Sequence, residues 1–325
     1  MTDSLYCCTF AARTDGKAAG RPEGRLRFPA DAPCELRMIT ASIVTYNNNL
    51  LDLEGILRSL LISPVQKVWI IDHSDEFLRL ESELQEYMRR DEDFIKHAGR
   101  GFHLEYMKRS NRGYGNGHNV ALRRAMEEGS QYHLVVNPDV WFGADVIPTL
   151  WRLMEGDKGV ALTMPKVLFL DGSVQRLAKL LPTPLDLFGR FFLPQWLIAK
   201  RNNRFELRHS GYEYEMNVPF LSGCFMFLRI DALRSEGLFD ERFFMYMEDV
   251  DITRRLHAKY KTLFYPSVSI YHRFSRLSYH KWRLSLIHMS SVVKYFNKWG
   301  WIYDMERRRF NKKILKEIKV HSEKE

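Results

Sequence analysis

The chain has 325 residues, 45% of them hydrophobic, and a formal charge of +9, so it can bury a core large enough for one big domain or two modest ones. No stretch approaches the roughly 20 apolar residues of a membrane-spanning helix, and the N-terminus lacks the apolar core of a signal peptide. The four cysteines, at 7, 8, 34 and 224, have no zinc-knuckle, CxxC or disulfide-framework spacing, which reads as a reducing, cytoplasmic setting. The positive charge favours anionic partners: nucleotide phosphates, nucleic acid or the inner face of a cell membrane.

Residues 1–37 mix Gly, Ala, Pro, Arg and Asp without periodicity and read as a flexible extension, so the folded domain is expected to begin at Met38. From Ile39 the pattern alternates. Ile39–Thr45 predicts a strand, and Leu53, Ile56, Leu57, Leu60 and Leu61 recur at helical spacing. A strand at Lys67–Asp72, a charged helix over about 76–93, a strand at His103–Met107, a helix over about 117–128 and a strand at Tyr132–Asn137 follow. This rhythm predicts an α/β fold: a mostly parallel, Rossmann-like sheet flanked by helices, with ligands outside the carboxyl ends of its strands.

After Val160–Met164 the pattern loosens, and 165–218 reads as loop with short helices. A strand-like run at Phe220–Ile230, a helix at Glu248–Tyr260, two short strands near Leu263 and Ser269 and a long helix from about Tyr279 to Lys298 complete the series.

Several strand ends carry candidate chemistry. Asp72 closes Ile70-Ile71-Asp72-His73-Ser74, where its carboxylate can accept from a base or ribose, or simply form a turn with Ser74. Asn111-Arg112-Gly113-Tyr114-Gly115-Asn116-Gly117 has alternate glycines before a helix, but not in the GxGxxG order of a dinucleotide site. In Asn137-Pro138-Asp139 the proline stops the ladder, presenting Asp139 to a divalent cation with the neutral Asn137 two residues earlier; a plain turn is the alternative. Glu248, Asp249 and Asp251 open a helix behind five aromatic or Met residues. Acids there complement the helix dipole, and beside an apolar wall one can also become a general base. His272 ends another strand-like run and is a candidate metal ligand.

Taken in order, Thr45-Tyr46-Asn47, Asp72-His73-Ser74, Asn111-Arg112-Gly113-Tyr114-Gly115, Asn137-Pro138-Asp139, Ser222-Gly223-Cys224-Phe225, Glu248-Asp249-Val250-Asp251 and His272 resemble the family 2 glycosyltransferases of the GT-A fold. The nearest likeness is to the bacterial rhamnosyltransferase-like branch that builds cell-surface polysaccharide, and it covers about residues 40–275. The resemblance implies a nucleotide-sugar donor held by Thr45, Tyr46, Asn47, Asp72, Ser74, Asn111, Gly113, Asn137 and Asp139. It also implies an acceptor side at Ser222, Gly223 and Cys224, a base at Asp249 beside Glu248, and Mg2+ or Mn2+ on Asp139 and His272. Asn137 departs from the family's usual first metal-binding acid, one negative charge fewer. The implied acceptor is a saccharide or lipid-linked saccharide, and dTDP-rhamnose is the donor implied by the branch.

A domain over 38–275 leaves 276–325 as an amphipathic helix with a basic tail, in which Arg307–Glu325 carries eight Lys/Arg against three Glu. That segment suits peripheral contact with an anionic membrane, or packing on the catalytic domain or on a second subunit as a homodimer. Two rival functions remain at this level. A nucleotidyltransferase would want a Gly-rich basic loop after the first strand, where Thr45-Tyr46-Asn47-Asn48-Asn49 stands. A nucleic-acid-binding protein would spread its charge over one face of the core rather than concentrate it in a tail.

Overall fold

The computed structural model describes residues 38–75, 79–273 and 281–322. The expected N-terminal extension and Cys7, Cys8 and Cys34 lie outside the described residues. The first strand, β1 (Ile39–Thr45), is buried along almost its whole length. It leads to α1 (Leu50–Leu61), started by a reciprocal cap: the Asn49 side chain accepts from the Asp52 N–H and Asp52 accepts from the Asn49 N–H, each at 3.1 Å. The stripe Leu53, Ile56, Leu57 and Leu60 is buried, which is where the helical period pointed it.

Next come β2 (Lys67–Asp72), α2 (Leu80–Arg90), α3 (Glu92–Ala98), β3 (His103–Lys108), α4 (Tyr114–Glu127) and β4 (Tyr132–Val136). The four strands lie parallel in the order β3-β2-β1-β4. The chain then makes β5 (Val140–Phe142), α5 (Val146–Gly156) and β6 (Val160–Leu168). The stretch read as loop with short helices holds β7 (Ala178–Lys179), α6 (Pro184–Phe192), α7 (Gln195–Phe205) and β8 (Met216–Asn217). The last elements are β9 (Phe220–Leu221), β10 (Phe225–Arg229), α8 (Ile230–Glu236), α9 (Glu248–His257), β11 (Lys261–His272), α10 (Lys281–Trp299) and α11 (Met305–Ser322).

Beyond β4 the sheet continues β10-β6-β11-β5, with β8 paired to β11, and its direction changes. The expected parallel run gives way because β10 is antiparallel to both β4 and β6. The reason lies at the carboxyl end of β4, where the Asn137 N–H donates to the Cys224 carbonyl at 3.0 Å. A chain re-entering the sheet at that end can only run backwards along β4. Two further corrections concern strand ends. The ladder does not stop for good at Pro138, since β5 resumes and pairs with β11, setting Val140 opposite His272. The two short strands expected near Leu263 and Ser269 are one strand with a register shift between Tyr265 and Ser269.

The C-terminal helices pack on this sheet domain. Val292, Tyr295 and Phe296 of α10 and Phe310 of α11 are buried with Leu181, Leu187, Phe243, Met247 and Val250. Ile314 and Ile318 of α11 join the main core. The segment read as a basic tail is therefore a helix with one apolar face, 310, 314 and 318, at helical spacing. Among the described residues no helix is long and apolar enough to cross a membrane.

Candidate active site

The carboxyl ends of β2, β1 and β4 lie side by side, and the candidate residues gather there. Thr45 and Asp72 are register partners. The Asp72 carboxylate accepts from Thr45 Oγ1 (2.9 Å), Ser74 N (3.0 Å), Ser74 Oγ (2.5 Å), Tyr106 Oη (2.7 Å) and Lys108 Nζ (3.2 Å). Burial works to raise its pKa, but the hydrogen bonds from Ser74, Tyr106 and Thr45 outweigh it and hold the group below the ordinary range. Asp72 is thus ionised and already surrounded by donors, so a ligand reaching it must share Oδ2 with Tyr106 and Lys108. Asn47 sits at φ 57° and donates its N–H to Ser74 Oγ at 2.7 Å, while Tyr46 stands exposed beside it. Tyr106 and Lys108 are the polar neighbours that the sequence did not single out.

The glycine run resolves into packing. Asn111 is exposed, and its Oδ1 accepts from the Gly113 N–H at 3.1 Å. Gly113, at φ 105°, lies where a Cβ would stand 2.2 Å from the Phe244 carbonyl oxygen. A Cβ on Gly117 would meet Val44 and His73 at 2.7 and 2.9 Å, so α4 approaches β1 and β2 more closely than any side chain permits. Tyr114 N–H donates to that same Phe244 carbonyl at 2.8 Å. The turn that begins α4 is in this way fastened to the loop that precedes α9.

Asp139 and His272 are brought together across β5 and β11, with Nε2 3.3 Å from Asp139 Oδ1. The imidazole is oriented by Gln175, whose Nε2 donates to the His272 and Leu168 carbonyls at 2.8 and 3.3 Å. Its Oε1 must then accept from His272 Nδ1, at 3.0 Å, which aims Nε2 at Asp139. Asn137 completes the corner: Nδ2 lies 3.4 Å from His272 Nε2, and Oδ1 accepts from Tyr114 Oη at 3.0 Å. The Asp139 carboxylate and the His272 imidazole are ligand types that Mn2+ or Mg2+ accepts, although no cluster of three or more His, Cys, Asp or Glu able to hold a metal occurs among the described residues. An ion held by these two would take its remaining ligands from water or a bound ligand.

A short chain of contacts joins this corner to the acids. Tyr114 Oη also lies 2.7 Å from the Gly223 carbonyl, and the Gly223 N–H donates to Asp249 Oδ2 at 3.0 Å. A Cβ on Gly223 would stand 3.3 Å from Asp249 Cβ and 3.4 Å from Tyr114 Cε1, so the glycine keeps the two side chains close. Burial raises the Asp249 pKa, opposed by the Gly223 and Val250 N–H groups and the charge of Lys179. Glu248 is pushed well above the ordinary range, first by burial and then by the Asp249 charge, and its Oε2 has no hydrogen-bond partner. Asp251, on the face of Glu248, binds Arg255, Lys298 and Trp299 instead. The contacts of Asp251 thus differ from those of the Glu248–Asp249 pair.

Ahead of the pair, Tyr246 and Met247 both take the left-handed conformation, φ 68° and 70°, a strain of about 1–3 kcal/mol each. Ser291 of α10 holds that loop by donating to the Met245 carbonyl at 2.8 Å. Of the residues expected on an acceptor side, Ser222 is half-buried and Cys224 buried; burial pushes the Cys224 thiol up to about 12, so it stays protonated.

A sheet of this order, with its carboxylates at the strand ends and a His-Asp corner beside β4, has the GT-A fold of glycosyltransferases. Over 146 residues the chain is 33% identical to N-acetylglucosaminyl-diphospho-decaprenol L-rhamnosyltransferase from two strains of Mycobacterium tuberculosis, CDC 1551 / Oshkosh and H37Rv. The match takes in 43% of this chain and 46% of the relative, so the chain spans about half the length of the curated relatives it matches. No family model matches. Among solved structures it resembles GalNAc-T7 with UDP, GalNAc and Mn2+ (TM-score 0.55, 14% identity, 82% of this chain and 48% of that one). It also resembles the mannosyltransferase PcManGT from Pyrobaculum calidifontis with GDP-Man and Mn2+ (TM-score 0.50, 16% identity, 79% of this chain and 64% of that one). At such identities the likeness to the solved structures is one of fold.

Proposed function

We propose that the chain is an inverting glycosyltransferase of family 2. It moves a sugar from a nucleoside diphosphate donor, with dTDP-L-rhamnose the leading choice, to a saccharide carried on a lipid diphosphate. The observation that carries the reading is the linked constellation Asp249, Gly223, Tyr114, Asn137, with Asp139 and His272 at its far end. The rhamnosyl group and the lipid-linked acceptor come from the name of the mycobacterial relative.

The nucleoside would lie along Thr45, Asn47 and Asp72, placing the diphosphate near Asn137 and Asp139. Asp249, held by two backbone N–H groups, would take the proton of an acceptor hydroxyl as its oxygen attacks the anomeric carbon. The bond from that carbon to the phosphate oxygen breaks, the nucleoside diphosphate leaves, and the configuration inverts. Glu248, kept neutral by burial and by its neighbour, adds no second negative charge where the base must be ionised. A divalent cation held by Asp139 and His272, with Asn137 beside them, would neutralise charge on the leaving diphosphate.

Asp139→Ala should weaken donor and cation binding together, and calorimetry with dTDP-, UDP- and GDP-sugars, with and without Mn2+, checks it. Unchanged affinity for both would remove Asp139 from the site. The pH dependence carries a sign. Because the Asp249 pKa is raised, the base is ionised only above that value, so kcat/KM should fall as pH drops through a limb lying above the ordinary carboxylate range of about 4. A rate flat down to that range would contradict a carboxylate base in this setting.

A further inference from the structure

The sequence left α10 to face a membrane or to pack on protein, and its Val292, Tyr295 and Phe296 are buried in the domain. Trp282 and Leu286 of α10 stay exposed, and two further groups of exposed apolar side chains lie elsewhere. Trp196 and Leu197 open α7 at 77% and 53% exposure, and Ile302 and Tyr303, between α10 and α11, with Met305 at the start of α11, stand at 70%, 83% and 74%. The two groups are linked through α6. Phe188 stacks on Trp301 with ring centroids 6.0 Å apart. One residue on, the space beside Gly189 is bounded by Leu185, Leu193 and Ile198, the last a buried residue of α7.

Each group has a stripe of cations behind it. On α7, Trp196, Lys200 and Arg204 follow one another at four-residue spacing, and on α11 Met305, Arg308 and Lys312 share the face opposite the buried Phe310 and Ile314. All four bases are exposed, and among the described residues none forms an ion pair. The nearby acids are engaged: Asp186 by Arg201, and Glu306 by Arg254. Aromatic and aliphatic tips ahead of unneutralised Lys and Arg match a bilayer surface, where the tips enter the headgroup boundary and the cations meet anionic lipid.

The place of this face matters as much as its composition. Leu187 of α6 packs with Met247 and Val250, which flank Glu248 and Asp249. β7, which leads into α6, pairs with β9 just before Ser222. We infer that the surface made by the start of α7, the loop before α11 and the start of α11 docks on an anionic lipid surface, holding Asp249 at the height of a saccharide whose lipid anchor stays in the membrane. The docking rests on the glycosyltransferase reading for its purpose, but not for its test.

Full-length protein is floated with phosphatidylcholine vesicles, with or without phosphatidylglycerol. It should rise with the anionic vesicles and not with the neutral ones, and high salt should weaken the association. Trp196→Ala/Ile302→Ala and Lys200→Glu/Lys312→Glu change only exposed side chains, so unchanged melting curves would show intact folds. Each should lose roughly tenfold or more in vesicle binding while keeping its rate on a short water-soluble acceptor. Protein that stays at the bottom with anionic vesicles, or floats equally well in both variants, overturns the inference. So does a dimer in sedimentation that the Trp196/Ile302 variant dissolves without any vesicle binding. Flotation as expected with no sugar transfer to any acceptor would instead sink the enzymatic reading and leave the docking face standing.

Discussion

Asp249→Asn is expected to lower kcat by a factor of about 10² or more while donor affinity stays nearly unchanged. The amide keeps the size of the side chain and can still accept from the Gly223 and Val250 N–H groups, but it cannot take a proton. The loss should therefore fall on turnover rather than on binding. Single-turnover rates with donor in excess, beside donor affinity by calorimetry, separate the two. A variant with near-normal turnover would pass the role of base to Glu248, whose Oε2 has no partner.

The second large effect is expected far from the chemistry. Arg254 of α9 is almost wholly buried; it makes two 2.7 Å hydrogen bonds to Asp304, one of 3.0 Å to Glu306, and lies 4.0 Å over the Trp299 ring. Asp304→Ala leaves that guanidinium buried without its main partner and should cost about 3–5 kcal/mol of stability, measured by urea unfolding. Replacing both partners, as Arg254→Met/Asp304→Leu, should recover much of the loss, because no charge is then stranded. A loss under about 1 kcal/mol for Asp304→Ala would mean that water reaches the pair and that it behaves as a surface ion pair. Since α9 starts with Glu248 and Asp249, the C-terminal helices help to hold the acids in place. Truncation after Lys298 removes both Asp304 and Glu306, so it disturbs the fold as well as any surface the tail presents.

The first half of the sheet was legible because β1, β2 and β4 are β-rich apolar runs and α1 shows a clean apolar stripe. β5 was not, since three residues are too few to show a period. Short helices were expected in 165–218, but α6 was not placed there, although Thr183-Pro184-Leu185-Asp186 is a capping box with proline at the first helical position. In α11 the spacing of Phe310, Ile314 and Ile318 was hidden by seven Lys and Arg residues that made the segment read as solvated. At the candidate site, strand-end residues could be recognised one by one, and the structure brings Asp139 to His272 and Asp249 to Gly223. Gln175 could not have been found: it lies in an irregular stretch, and its role in orienting His272 depends on two strand ends that meet only in the fold. Tyr114 stood inside a quoted motif, but its link from Asn137 to Gly223 is likewise a product of folding.

The central claim is a one-step transfer with inversion at a site built on Asp249. Proton NMR of a reaction containing the donor sugar nucleotide and a saccharide acceptor reads it directly, through the anomeric coupling and shift of the product as nucleoside diphosphate is released. The account predicts a glycoside of the configuration opposite to the donor's from the earliest time points, formed about 10² times more slowly, or slower still, with Asp249→Asn. A product that keeps the donor's configuration, or release of sugar 1-phosphate instead of nucleoside diphosphate, would contradict it.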